Sequence, residues 1–108
     1  AFGLNGFEFD TAVRFGLPIV GIVGNDAAWG QMMRPQAMIY GSDRLVATEL
    51  SYTRYDKVVE ALGGHGEHVT EPDAIVPALE RAFASGKPAL VNVEMRKDID
   101  GMKGSTYV

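Results

Sequence analysis

The stretch richest in possible chemistry is Val23-Gly24-Asn25-Asp26-Ala27-Ala28-Trp29-Gly30-Gln31-Met32-Met33-Arg34-Pro35-Gln36, whose first residue closes the apolar run LPIVGIV. Asp26 offers a hard carboxylate oxygen. A bend just after it can aim a backbone carbonyl at the same point. Those are the ligand types Mg²⁺ takes, with phosphate or water completing the shell. Asn-Asp after a strand also forms an Asx-turn with no ligand at all, so the tripeptide reads either as a turn or as a metal site. Trp29 reads as a packing anchor. Met33 and Met38 read as flexible core filler or as the lining of an acyl channel. Arg34-Pro35-Gln36 suits either a coenzyme A phosphate or acyl carboxylate, or a salt bridge in a surface loop. His65 and His68 have the i, i+3 spacing of a helical metal pair, but the glycines around them deny a rigid helix.

Composition narrows the classes that can use such a site. The chain has 108 residues, 46% hydrophobic and 22% charged, as expected of one globular domain or part of one. Ten Lys+Arg against fourteen Asp+Glu give a net charge of −4, the wrong sign for a nucleic-acid surface. No cysteine is present, which removes disulfides, thiolate metal sites and a Cys nucleophile, and fits a reducing, cytoplasmic compartment. No apolar stretch approaches the ~18 residues needed to span a bilayer, so no membrane partner is expected. The sequence begins abruptly at AFGLNG with Ala1, and we expect it to be a piece of a longer chain.

The elements that would position the site follow from periodicity. Asn5 to Glu8 has the form of a capping box, with Phe9, Ala12 and Val13 at helical spacing, and Gly16 suits a helix end; this predicts a helix from Gly6 to Phe15. Pro18 opens a β-branched run without polar alternation, the pattern of a strand buried on both faces. Ala27 to Tyr52 shows no long amphipathic helix, and an interval of that kind implies function. Thr53 to Leu62 predicts a helix burying Tyr55, Val58, Val59 and Leu62, ended by Gly63-Gly64. EHV is a short strand. Thr70 as N-cap opens a helix with Ile75, Val76, Leu79, Ala82 and Phe83 as its buried stripe, closed by Gly86. Pro77 then demands either a kink or a later start. Pro88 to Met95 is the last strand. The alternation predicts an α/β class, a parallel sheet with helices on both faces. In such sheets ligands sit beyond the carboxyl ends of strands, where Gly24-Asn25-Asp26 falls.

The segment AFGLNGFEFDTAVRFGLPIVGIVGNDAAWGQ resembles the diphosphate-binding segment of thiamine-diphosphate-dependent enzymes, whose motif opens with Gly-Asp-Gly and closes in Asn-Asn or a close variant. Gly-Asp-Gly would fall immediately before Ala1. The similarity is greatest to the acetolactate synthase group, with benzaldehyde lyase and the 2-hydroxyacyl-CoA lyases, and continues through YDKVVEALGGHGEHV and GKPALVNVEM. It implies a thiamine-diphosphate-binding fold, with residues 1–108 forming the C-terminal part of the thiamine-diphosphate/Mg²⁺-binding domain of a lyase or carboligase. It implies Asp26 as a side-chain Mg²⁺ ligand and the Ala28 carbonyl as a backbone ligand. Backbone N–H groups at Ala1 and Phe2 would lie beside the diphosphate, and Gln31 and Met32 would face the substrate. Asn25 would shape the loop. Most members carry Asn where this chain has Asp26, so metal affinity is expected to be tighter or more pH-dependent. No residue of the chain aligns with the family's activating Glu, so none is assigned a catalytic role. The resemblance also implies a small-molecule substrate, the remaining domains of a parent chain and a second subunit. The competing expectation is a non-enzymatic α/β binding module that keeps the fold without the chemistry.

Overall fold

The computed structural model describes residues 1–97; the polar, Gly-rich tail Asp98 to Val108 lies outside the described residues. The chain divides into two compact units. The first joins residues 1–25 with 54–95, and the second holds 26–53 with Arg96 and Lys97.

The first unit is built on a three-stranded parallel sheet of β1 (Val20–Asn25), β2 (His65–Val69) and β3 (Ala89–Glu94), in the order β1-β3-β2. The central strand is β3, and Ala89, Leu90, Val91 and Asn92 are each at most 1% exposed. Helix α5 (Ile75–Ala84) covers one face, where Ala78 and Ala82 close a core with Val69, Ala89 and Val91. Helix α4 (Tyr55–Ala61) covers the other. It comes close to β2 because Gly66 has no side chain; a Cβ there would strike the Asp56 backbone carbonyl. Fully burying Val69 or Val91 is worth about 1.5–3 kcal/mol, and each alanine methyl about 0.8 kcal/mol. Sheet and helices on both faces thus match the predicted class.

Several expectations need correction. The run opened by Pro18 is not a strand buried on both faces: β1 is an edge of this sheet, and Ile22 is 59% exposed. Asn5 does not cap a helix. Phe2–Asn5 forms its own short turn of helix, α1, and α2 (Glu8–Arg14) follows with no side-chain cap bond. Gly6 takes helical φ and ψ, which carries the turn past Asn5, and Glu8 instead accepts a bond from the Thr11 hydroxyl at 3.0 Å. The α5 stripe is rotated. Val76 and Phe83 are exposed, because the small side chains of Ala78 and Ala82 allow the closest approach to the sheet. Thr70 is not its cap; a 3₁₀ turn (Pro72–Ala74) precedes α5, so Pro77 stands in the first turn of the α-helix, where its missing N–H costs nothing. The later start, not a kink, accommodates the proline.

The second unit contains α3 (Gly30–Tyr40), an eleven-residue helix in the interval expected to hold no long amphipathic one. Pro35 lies inside it. Arg34-Pro35-Gln36 is therefore helical rather than a surface loop. The Gln36 amide holds α3 to the returning segment: its Oε1 accepts from Val46 N–H at 3.0 Å and from the Thr48 hydroxyl at 3.0 Å, and its Nε2 donates to the Val46 carbonyl at 3.1 Å.

Candidate functional site

Asp26 directly follows the last residue of β1, at the carboxyl end of the strand, and is half-buried. Next to it, Ala27 is 3% exposed and sits at φ 55°, in the left-handed region. That conformation costs a non-glycine residue about 1–2 kcal/mol. The bend expected after Asp26 is therefore present, enforced on an alanine.

The bend feeds a short antiparallel pairing of Ala28 with Glu49. The ladder bonds run from Leu50 N–H to the Ala27 carbonyl at 2.7 Å and from Trp29 N–H to the Thr48 carbonyl at 2.9 Å. Ala28 and Glu49 thus form a non-hydrogen-bonded pair, in which each residue's own N–H and C=O turn away from the partner. Helix α3 does not take up the Ala28 carbonyl either, because Met32 and Met33 both donate to the Trp29 carbonyl, at 2.9 and 2.8 Å. The carbonyl expected as a backbone ligand is thus left outside ladder and helix.

Gly30 opens a gap between two charged groups. The Cβ it lacks would lie 3.8 Å from Asp26 Oδ2 and 3.9 Å from Arg34 Nε. Arg34 Nε is buried and has no hydrogen-bond partner among the described residues, so this flank of the Asp26 loop carries a positively charged donor. Gln31 and Met32 lie on the first turn of α3, both exposed. Trp29 is the half-buried residue before α3, Met33 is buried as core filler, and Met38 is 64% exposed. No cluster of three or more His, Cys, Asp or Glu able to hold a metal occurs among the described residues. A hard cation here would draw one carboxylate and one carbonyl from this loop, and its other ligands from phosphate, water or another segment, a donor set that suits Mg²⁺.

In the first unit, Ala1 precedes α1 and Phe2 opens it, its ring packed on Phe9 at 5.7 Å and Tyr55 at 4.9 Å. His65 and His68 are on a strand, not a helix, and three residues apart they face opposite sides of the sheet. His65 Nε2 lies 2.6 Å from Glu67 Oε2, and Arg81 closes on the same carboxylate at 2.7 Å. The Arg81 hydrogen bond, opposed by burial and helped by His65, holds the Glu67 carboxyl below its ordinary pKa.

Sequence reasoning missed a buried polar chain on the α4 face. Asp56 is 1% exposed and Asn92 is fully buried. Arg54 grips the Asp56 carboxylate through Nε at 3.0 Å and a terminal nitrogen at 2.7 Å. Asn92 Nδ2 donates to Asp56 Oδ1 at 3.2 Å, and Asn25 Nδ2 donates to Asn92 Oδ1 at 3.3 Å. Burial works to raise the Asp56 pKa, but the Arg54 and Asn92 bonds outweigh it and hold it below the ordinary value. A polar residue inside the apolar run ALVNV was the signal available.

A parallel α/β sheet with a carboxylate and a disengaged carbonyl just past a strand's carboxyl end has polar groups where open α/β sheets bind their ligands. The chain belongs to the family described as "Thiamine pyrophosphate enzyme, C-terminal TPP binding domain", which matches residues 1–93. It is 53% identical over 93 residues to a probable acetolactate synthase of Mycobacterium bovis, covering 86% of this chain and 17% of that protein. It is 43% identical over 112 residues to 2-hydroxyacyl-CoA lyase 2 of Caenorhabditis elegans, covering 98% of this chain and 17% of that protein, and 40% identical over 98 residues to its human namesake, covering 86% and 15%. The chain thus spans about a sixth of the length of these relatives.

Proposed function

We propose that the chain is the cofactor-anchoring part of a thiamine-diphosphate-dependent lyase or carboligase acting on a 2-oxo acid or 2-hydroxyacyl substrate. When bound, thiamine diphosphate supplies the electron sink that cleaving or forming a C–C bond beside a carbonyl requires. The residues of this chain anchor and orient it. Asp26 gives Mg²⁺ a carboxylate oxygen and Ala28 its carbonyl, while backbone N–H groups at Ala1 and Phe2 contribute to holding the diphosphate. Gln31 and Met32 face the substrate. Arg34 supplies positive charge for an anionic group of the substrate, which its Nε, without a partner among the described residues, supports. The activating carboxylate and the second metal-binding Asp come from outside residues 1–108, the former from another domain of a partner subunit.

The observation that carries this reading is the left-handed, buried Ala27, which leaves the Ala28 carbonyl disengaged beside Asp26. The test is calorimetric titration of thiamine diphosphate into the full-length protein, with and without Mg²⁺, beside Asp26→Ala. Mg²⁺-dependent binding that the substitution abolishes is expected. Equal heats with and without Mg²⁺, or an unaffected variant, would return Asn25-Asp26 to a plain turn.

A further inference from the structure

The chain Arg54–Asp56–Asn92–Asn25 crosses the α4 face of the sheet and ends one residue before Asp26. We infer that Asn92, seated on Asp56, is a positioning residue for the metal loop: it fixes the Asn25 side chain, and with it the backbone from which Asp26 departs. The inference rests on the metal reading of Asp26.

Three features support a positioning role over mere core filling. The side chains are almost fully removed from solvent, with Asn92 at 0%, Asp56 at 1% and Asn25 at 5% exposure. A buried amide or carboxylate is costly unless bonded, so their bonds admit few alternative arrangements. The bonds are also directional along one line. Asp56 is acceptor-only and held by Arg54, so Asn92 must turn its Nδ2 toward Asp56. That turns its Oδ1 toward Asn25, which can then only donate. The amide orientation at Asn25 is thus dictated by a carboxylate on α4. Finally, the Asn25 backbone is held too: its carbonyl accepts from Met95 N–H at 2.8 Å. Side chain and main chain of the residue before Asp26 are both clamped to the end of β3. Groups that orient a metal ligand from outside the coordination shell characteristically change metal affinity when removed.

Asn92→Leu keeps approximate volume and removes the bonds that Asn92 makes to Asp56 and Asn25. In the full-length protein, Mg²⁺ affinity measured by calorimetry with thiamine diphosphate present is expected to fall roughly 10-fold. Val59→Ala, three residues along α4 from Asp56, is the control for lost packing: it lowers the unfolding temperature and leaves Mg²⁺ affinity at the wild-type value. A second pair tests the chain by rescue and decides the matter if Asn92→Leu does not fold. Asn92→Asp sets two carboxylates against each other and weakens Mg²⁺ binding. Adding Asp56→Asn restores a donor between them, and the double variant regains most of the loss. Wild-type affinity in Asn92→Leu, a Mg²⁺ loss in Val59→Ala of the same size, or a double variant no better than Asn92→Asp would overturn the inference. Asp26→Ala separates the two levels. Unchanged Mg²⁺ affinity there refutes the metal reading and this inference together, whereas a loss there with none in Asn92→Leu refutes only the positioning role.

Discussion

Ala27 offers the sharpest test of the loop geometry, because glycine should be nearly neutral there and valine destabilising. Ala27→Gly removes a left-handed cost of about 1–2 kcal/mol. Against that stand a buried methyl worth about 0.8 kcal/mol and an unfolded-state entropy loss of about 0.4–1 kcal/mol. The sum falls within about 1 kcal/mol of zero. Ala27→Val keeps the left-handed φ on a β-branched residue, for which it is a true outlier. It also forces two methyl groups into a site only 3% exposed, where overpacking costs about 1–3 kcal/mol. The two variants should therefore differ by about 2 kcal/mol in unfolding free energy, with valine the less stable. Denaturant unfolding of the full-length protein measures the difference. Mg²⁺ titration of the same samples should follow it: the glycine variant stays within a few-fold of wild type, since the Trp29 and Leu50 ladder bonds remain, and the valine variant weakens tenfold or more. At an ordinary negative φ, glycine would instead cost about 1.5 kcal/mol, the sum of the lost methyl and the added entropy. A destabilised glycine variant beside a neutral valine variant would therefore refute the reasoning.

Acid stability tests the other carboxylates. Because the folded pKa of Glu67 is depressed, its contribution is complete above its unfolded value of about 4.3 and is lost as pH falls through the lower folded value. Glu67→Gln should therefore flatten the acid limb of a melting-temperature profile below about pH 4 and lower stability at pH 7; an unchanged acid limb would show that the Arg81 pair does not form in solution. Gln31→Ala and Met32→Ala should shift the ratio of kcat/KM values between 2-oxo acid and 2-hydroxyacyl substrates while leaving Mg²⁺ affinity alone, and a pure Mg²⁺ effect would move both residues out of the substrate region.

Much of the frame was legible because it rests on short-range rules. Gly63 at φ 102° ends the helix before β2 as expected, and the apolar run of β3 is the buried central strand. The bend after Asp26 was readable from residue type alone. What stayed hidden depends on contacts distant in sequence. Helix α3 carries Pro35, which forfeits an internal hydrogen bond. It forms nonetheless with Met33 buried and with Gln36 tied to Val46 and Thr48. Neither contact is visible in local periodicity. The α5 stripe was misjudged in part for a related reason: Ala82 is buried as expected, but size was taken as the mark of burial for Val76 and Phe83, whereas close packing against the sheet selected Ala78. Asp56 and Asn92 escaped notice because a charge on a helix and an amide in a strand are ordinarily surface features, and only the tertiary register brings them together.

The two faces of β3 show why that polar chain calls for a functional account. On the α5 side, Val91 meets Val69, Ala78 and Ala82 in an entirely apolar contact. One residue further along the same strand, the α4 side holds Asn92, Asp56 and Asn25 instead. Well-packed apolar side chains of similar volume would serve stability at least as well, since replacing buried charged and polar groups in this way is often neutral or stabilising by about 1–4 kcal/mol. Stability alone therefore does not account for the arrangement. What the polar chain provides that an apolar one cannot is a fixed amide orientation at Asn25, because hydrogen bonds are directional and dispersion contacts are not. That orientation matters only to something built on Asn25, and the next residue is Asp26. If the argument is right, apolar replacement of Asn25, Asp56 and Asn92 together should leave the protein as stable or more so while weakening its hold on Mg²⁺, whereas Asn92→Leu alone takes a bond from two buried polar groups and lowers stability as well.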